Sequence, residues 1–104
     1  MKTIQVLAVT PEIFPLVKTG GLADVTGALP GALADHGVAV RTLIPGYPKV
    51  MESIQSGEAV YHFPDLYGGP ARLIACTTAG LDLLVLEAQH LFSRAGSIYL
   101  GPDG

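Results

Sequence analysis

Residues 3–44 read TIQVLAVTPEIFPLVKTGGLADVTGALPGALADHGVAVRTLI. The order is a strand pattern, a proline-bounded loop, a helix pattern and a second strand pattern. Thr3 to Val9 is β-branched or apolar at nearly every position, which reads as a strand buried on both faces, as inside a parallel sheet. Pro11 and Pro15 end it and force the loop PEIFPLVKTGG. Gly20 and Gly21 then open a helix whose apolar positions Leu22, Val25, Leu29, Ala32 and Leu33 fall on one face. Gly37 after His36 suits a helix C-cap, so the helix is expected over Gly21 to His36, about 24 Å long. Pro30 removes the hydrogen bond to the Thr26 carbonyl, and a kink is expected there. Val38 to Ile44 is the second strand, stopped by Pro45. Strand, helix and strand at this spacing form a βαβ unit with an expected right-handed crossover.

Beyond Ile44, PGYP is a turn and Lys49 to Gln55 a short helix. Ala59 to Phe63 and Ala71 to Thr77 read as strands. Ala79-Gly80 turns the second of these into Leu81 to Leu86 as a hairpin. Ala88 to Ser93 reads as a helical turn, followed by the tail GSIYLGPDG. There is no internal repeat and no low-complexity tract. The expected class is α/β: a βαβ unit followed by strands that include an antiparallel hairpin.

The chain has 104 residues, the length of one domain. Hydrophobic residues make up 49% and charged residues 14%, against about 25% charged in an ordinary soluble domain. That excludes disorder, which needs the opposite balance. The net charge is −3 with six basic residues, and Lys2, Lys18, Arg41, Lys49, Arg72 and Arg94 are scattered singly. Nucleic acid is therefore not an expected partner. A single cysteine, Cys76, excludes an internal disulfide framework and suits a reducing compartment. No apolar run reaches the ~20 residues of a membrane span, and the N-terminus makes no convincing signal peptide. A cytoplasmic location is expected. His36, His62 and His90 show no metal-ligand spacing, and His36 at a helix end suits a C-cap, so no metal is expected. No cofactor is expected either.

The chemistry concentrates in Lys18-Thr19-Gly20-Gly21-Leu22-Ala23-Asp24. This segment joins the carboxyl end of the first strand to the helix, where open α/β sheets bind ligands. A helix N-terminus presents free N–H groups and partial positive charge to an anion. Glycine lets backbone approach a phosphate, and Lys18 adds a full charge. The same residues also read as a plain turn beside a surface lysine. The string is neither a Walker A loop nor GxGxxG. Asp24 in the first helical turn is favoured by the dipole alone; with a phosphate at the helix start it would face a sugar hydroxyl or Lys18. Cys76 reads as a buried thiol. Phe14, Phe63, Phe92, Tyr47, Tyr61 and Tyr67 read as core or loop packing.

The stretch PEIFPLVKTGGLADVTGALPGALADHGVAVRTLIPGYP closely resembles the N-terminus of bacterial glycogen synthases and plant starch synthases, which carry K-T-G-G-L-A-D-V after their first strand. The tail LLVLEAQHLFSRAGSIY is similar to their later segment ending in Gly-Ser/Gly-Pro-Tyr. The resemblance covers essentially the whole chain. It implies a GT-B glycosyltransferase, two Rossmann-like domains with the active site between them. Glucose would pass from ADP-glucose to the non-reducing end of an α-1,4-glucan, with retention and no required metal. By resemblance Lys18 meets the donor, Gly20 and Gly21 bring backbone near its phosphates, and Asp24 orders the donor or its loop. Tyr99 falls on a tyrosine associated with the glucan acceptor, or else is a packing anchor. Glu12 matches a position near the cleft and carries no assigned role.

The resemblance further implies that residues 1–104 are an incomplete N-terminal part of the first Rossmann-like domain. The second domain, with the acidic active-site residue and the Arg/Lys pair for the diphosphate, would lie elsewhere; no residue here is assigned to catalysis. Such a fragment is expected to be inactive alone and to self-associate through bare apolar surface. The alternative is a stand-alone flavodoxin-like anion- or nucleotide-binding module without catalysis. The antiparallel turn of the later strands and the sugar-stacking candidate Tyr99 speak for the first reading.

Overall fold

The computed structural model describes residues 3–54 and 57–92. Five strands and three helices follow in the order β1 (Ile4–Val9), α1 (Gly21–Ala34), β2 (Val38–Pro45), α2 (Pro48–Ser53), β3 (Glu58–Phe63), β4 (Ala71–Thr78), β5 (Leu81–Glu87) and α3 (Gln89–Phe92). The strands form one sheet in the order β1-β2-β5-β4-β3. β1, β2 and β5 run parallel, with Ile4 opposite Val38 and Thr42 opposite Leu83. β4 is antiparallel to both β5 and β3. The expected α/β class, with its βαβ unit and antiparallel hairpin, is the one found.

The hairpin turn has a local cause. Ala79 and Gly80 adopt φ of 52° and 75°, both left-handed, and Thr78 pairs directly with Leu81. A two-residue loop of this kind matches the twist of the strands it joins. Gly37 (φ 75°) likewise supplies the left-handed residue behind α1, and its carbonyl accepts from Ile4 N–H at 3.0 Å. Pro48 opens α2 at its first position, where its missing N–H costs nothing.

Burial alternates along the central strands, as the two-residue pleat requires. Leu81, Leu83 and Val85 of β5, Ile44 of β2, and Ile74 and Cys76 of β4 join Ile13, Leu16 and Val17 of the first loop and Val50 and Ile54 around α2 in one core. Tyr47 packs against this cluster, its ring 5.6 Å from that of Phe92 at centroids. The rings of Tyr61 and Phe63 meet at 4.7 Å. Tyr61, although it meets Phe63, is exposed, as are Phe14 and Tyr67, against the packing expected of them.

Two further expectations are corrected. β1 is not buried on both faces: it lies at the sheet edge, and Ile4, Val6, Leu7 and Val9 are 62%, 41%, 57% and 71% exposed. An edge strand has a neighbour on one side only, and apolar composition alone does not say which strand is the edge. Nor does α1 bury its large apolar residues. Leu22, Val25, Leu29 and Ala32 face out, and the helix turns Ala23 inward, with Thr26, Gly27, Pro30 and Leu33 half-buried. Small residues let a helix approach closely, and that geometry wins here over bulk hydrophobicity. α1 packs on β2, continues through Pro30 and ends at Ala34, before the expected His36.

Candidate functional site

After β1 the chain turns through Thr10 and Pro11 and folds its loop onto the start of α1. Ile13 N–H donates to the Val17 carbonyl at 2.9 Å and Val17 N–H returns a bond to Ile13 at 3.0 Å, closing the loop ahead of Lys18. Phe14 N–H donates to the Ala23 carbonyl at 3.0 Å, tying the loop to the helix. Gly27 makes that approach possible: a Cβ there would sit 2.6 Å from the Phe14 carbonyl oxygen.

Glu12 lies at the centre, only 1% exposed. A buried carboxylate must be met by donors, and this one is. Thr19 Oγ1–H donates to Oε2 at 2.7 Å, while the N–H groups of Thr19, Gly20 and Ala23 converge on Oε1 at 3.4, 3.3 and 3.1 Å. The Glu12 carbonyl accepts from Thr10 Oγ1 at 2.9 Å and Thr26 Oγ1 at 2.8 Å. Gly20, the N-cap of α1, has no capping side chain. A carboxylate from upstream in the loop takes that place, satisfying orphan amides and meeting the positive end of the helix.

Lys18, Gly20, Gly21 and Asp24 come together at this helix start. Lys18 Nζ donates to both Asp24 oxygens, at 2.7 and 2.6 Å, and lies 5.8 Å from the Phe14 ring centroid. Of the two partners considered for Asp24, Lys18 is the one it holds. Both side chains are about half exposed, so the pair contributes about 0–1 kcal/mol. The Gly20 N–H, expected to face a phosphate, is already engaged by Glu12. Tyr99 lies outside the described residues.

Glu12 is what sequence reading left without a role. Its signal was faint: an acidic residue between Pro11 and Pro15 in a charge-poor chain, with Thr10 and Thr19 as flanking hydroxyls. Beside the loop, an apolar recess of about 200 Å³ lies over the carboxyl ends of β1 and β2, lined by Val9, Thr10, Pro11, Leu43, Pro45 and Leu86 among others. Two larger clefts, of about 590 and 580 Å³, include none of the candidate site residues. Cys76 is buried, as expected, and burial together with the nearby Asp82 charge raises its pKa above the ordinary thiol value. Among the described residues no cluster of three His, Cys, Asp or Glu could hold a metal, and no helix is long and apolar enough to cross a membrane.

The starch synthase catalytic domain family matches residues 5–104. The chain belongs to that family. Among starch synthase relatives, the glycogen synthase of Rhodopseudomonas palustris is 60% identical over 104 residues, covering all of this chain and 21% of its own length. That of Mesorhizobium japonicum is 62% identical over 101 residues, 97% of this chain and 21% of its own. The catalytic domain of starch synthase IV from Arabidopsis thaliana, bound to ADP and acarbose, matches with a TM-score of 0.79 and 26% identity over 98% of this chain and 22% of that one. The chain thus spans about a fifth of the length of the curated relatives it matches. The five-stranded sheet is a partial Rossmann-like unit of the starch synthase catalytic domain.

Proposed function

We propose that this chain is the N-terminal, donor-facing part of an ADP-glucose-dependent glycogen synthase, working in the cytoplasm opposite a second Rossmann-like domain. One observation carries the reading. Gly20 and Gly21 stand beside Lys18 at the carboxyl end of the sheet, and the fold itself does not require either glycine. A Cβ at either would meet nothing within 4 Å, and Gly20 has extended backbone open to any residue. Gly20 is the N-cap of α1 and suits that place, but Gly21 is its first helical residue, and glycine loses more backbone freedom on folding than any other residue. A glycine where no neighbour demands one fits backbone left bare for something outside the chain, and with the Gly20 N–H held by Glu12 that backbone is Gly21's. ADP in the Arabidopsis starch synthase supports a nucleotide diphosphate as that occupant.

In this reading Lys18 exchanges its weak pairing with Asp24 for the donor diphosphate, whose charge it helps carry as ADP departs. Asp24, released, accepts from a donor hydroxyl or restrains the loop. The bare Gly21 backbone lets the phosphates approach. Tyr99 is the proposed stacking platform for the glucan acceptor.

Two results are expected in the full-length protein. Lys18→Ala should raise the donor KM roughly 10–100-fold, since a charge-assisted contact contributes about 1.5–3 kcal/mol. Lys18→Gln should do the same, because the role is charge. Normal donor kinetics in the alanine variant would defeat the reading. Gly21→Ala should leave the melting temperature unchanged or higher while raising the donor KM several-fold; a fully active, more stable variant would show that the glycine serves no ligand.

A further inference from the structure

We infer that Glu12 is the positioning residue that aims Lys18, by acting as an internal anion at the head of α1. The inference rests on the donor role proposed for Lys18. Lys18 itself is half exposed, and its backbone is held on both sides. Behind it, Val17 is closed against Ile13. Ahead of it, both the N–H and the hydroxyl of Thr19 bond the Glu12 carboxylate. The same carboxylate holds Gly20 and Ala23 N–H, so one buried group fixes the residue after Lys18 together with the first turn of the helix that carries Asp24. Glu12's own main chain is anchored to that helix by Thr26, which leaves the carboxylate little freedom to drift.

A consequence follows for the ligand. A helix start ordinarily attracts a phosphate through its free amides, but here Glu12 occupies that end. The Gly20 and Ala23 amides are therefore structural, and positive charge for the donor comes from Lys18. Losing the carboxylate should mislead Lys18 rather than delete it.

The test is a double-mutant cycle on donor KM in the full-length protein, using Glu12→Gln, Glu12→Ala and Lys18→Ala. Glu12→Gln keeps the size and one acceptor oxygen and so keeps the fold, with Thr19 Oγ1 turning to accept from the amide. It should raise donor KM about 3–10-fold and Glu12→Ala about 10–100-fold, as small misplacements of binding groups do. The glucan KM should stay unchanged in both. In the Lys18→Ala background Glu12→Gln should add nothing further to donor KM, since a residue acting through Lys18 has nothing left to position. A merely stabilising Glu12 would lower the melting temperature and leave donor KM alone, or would multiply the Lys18→Ala effect; either outcome overturns the inference and leaves the donor site standing. A Lys18→Ala variant with normal donor KM would remove the donor reading and this inference together.

Discussion

Gly27→Ala is expected to destabilise the protein by about 1–3 kcal/mol, whereas Gly31→Ala, one turn later in the same helix, should stabilise it by about 0.5–1 kcal/mol. The two substitutions are chemically identical, and what differs is the neighbour. A Cβ at Gly31 meets nothing within 4 Å, while at Gly27 it would lie 2.6 Å from the Phe14 carbonyl oxygen and 3.3 Å from Phe14 Cβ. The first of these is backbone and cannot swing aside. It belongs to a loop bonded to α1 through Phe14 N–H and the Glu12 carbonyl, so relief would require the whole loop to lift. Lifting it would also pull the Glu12 carboxylate away from Thr19 and Gly20. Gly27→Ala should therefore raise the donor KM as well as lower the melting temperature, and Gly31→Ala should do neither. Thermal unfolding of the two variants beside the parent protein decides the matter. Shifts of the same sign would mean that the loop is not clamped to the helix through Gly27.

That pair also explains why part of this fold was legible in the sequence and part was not. Alternation of buried residues in β5 and the left-handed Ala79-Gly80 turn are local properties, and LDLLVLE after Ala-Gly discloses both. The order strand, loop, helix, strand is equally local. The contact between α1 and the loop is not, because it depends on which face of the helix comes close. A periodicity reading favours large apolar side chains and so chooses Leu22, Val25 and Leu29; the chain uses Ala23 and Gly27, whose value is their small size. β1 fails in the same manner, since IQVLAV carries no mark of being an edge. At the site, the Lys18-to-Asp24 string reads as a candidate anion-binding loop or as a plain turn beside a surface lysine. That the helix start was already taken depended on Glu12 reaching it across the loop, a contact no spacing rule contains.

A polypeptide of these 104 residues, purified alone, is expected to show no detectable glucosyl transfer and to self-associate. Lys18 and the bare Gly21 backbone present one wall of the proposed cleft, and transition-state stabilisation requires preorganised groups around the whole reacting centre. Donor binding by a half-exposed lysine should be about millimolar or weaker. Association has a separate cause. β1 has no charge and no proline in its sequence IQVLAV, and its pairing with β2 shows no register shift, so three of the usual devices that protect an edge are missing from the strand. On β1 itself Ile4, Val6, Leu7 and Val9 are all exposed, and Leu22, Val25 and Leu29 of α1, which packs on β2, add further exposed apolar surface. An edge strand that carries its own exposed apolar side chains is a template for another chain. Light scattering across a wide concentration range, with a transfer assay from ADP-glucose to glycogen, tests both parts. Leu7→Lys places a charge on the edge and should reduce association while leaving the inactivity unchanged. A monomeric parent peptide would show that the β1 edge is harmless, and measurable transfer would mean that a complete active site fits within this fifth of its relatives' length.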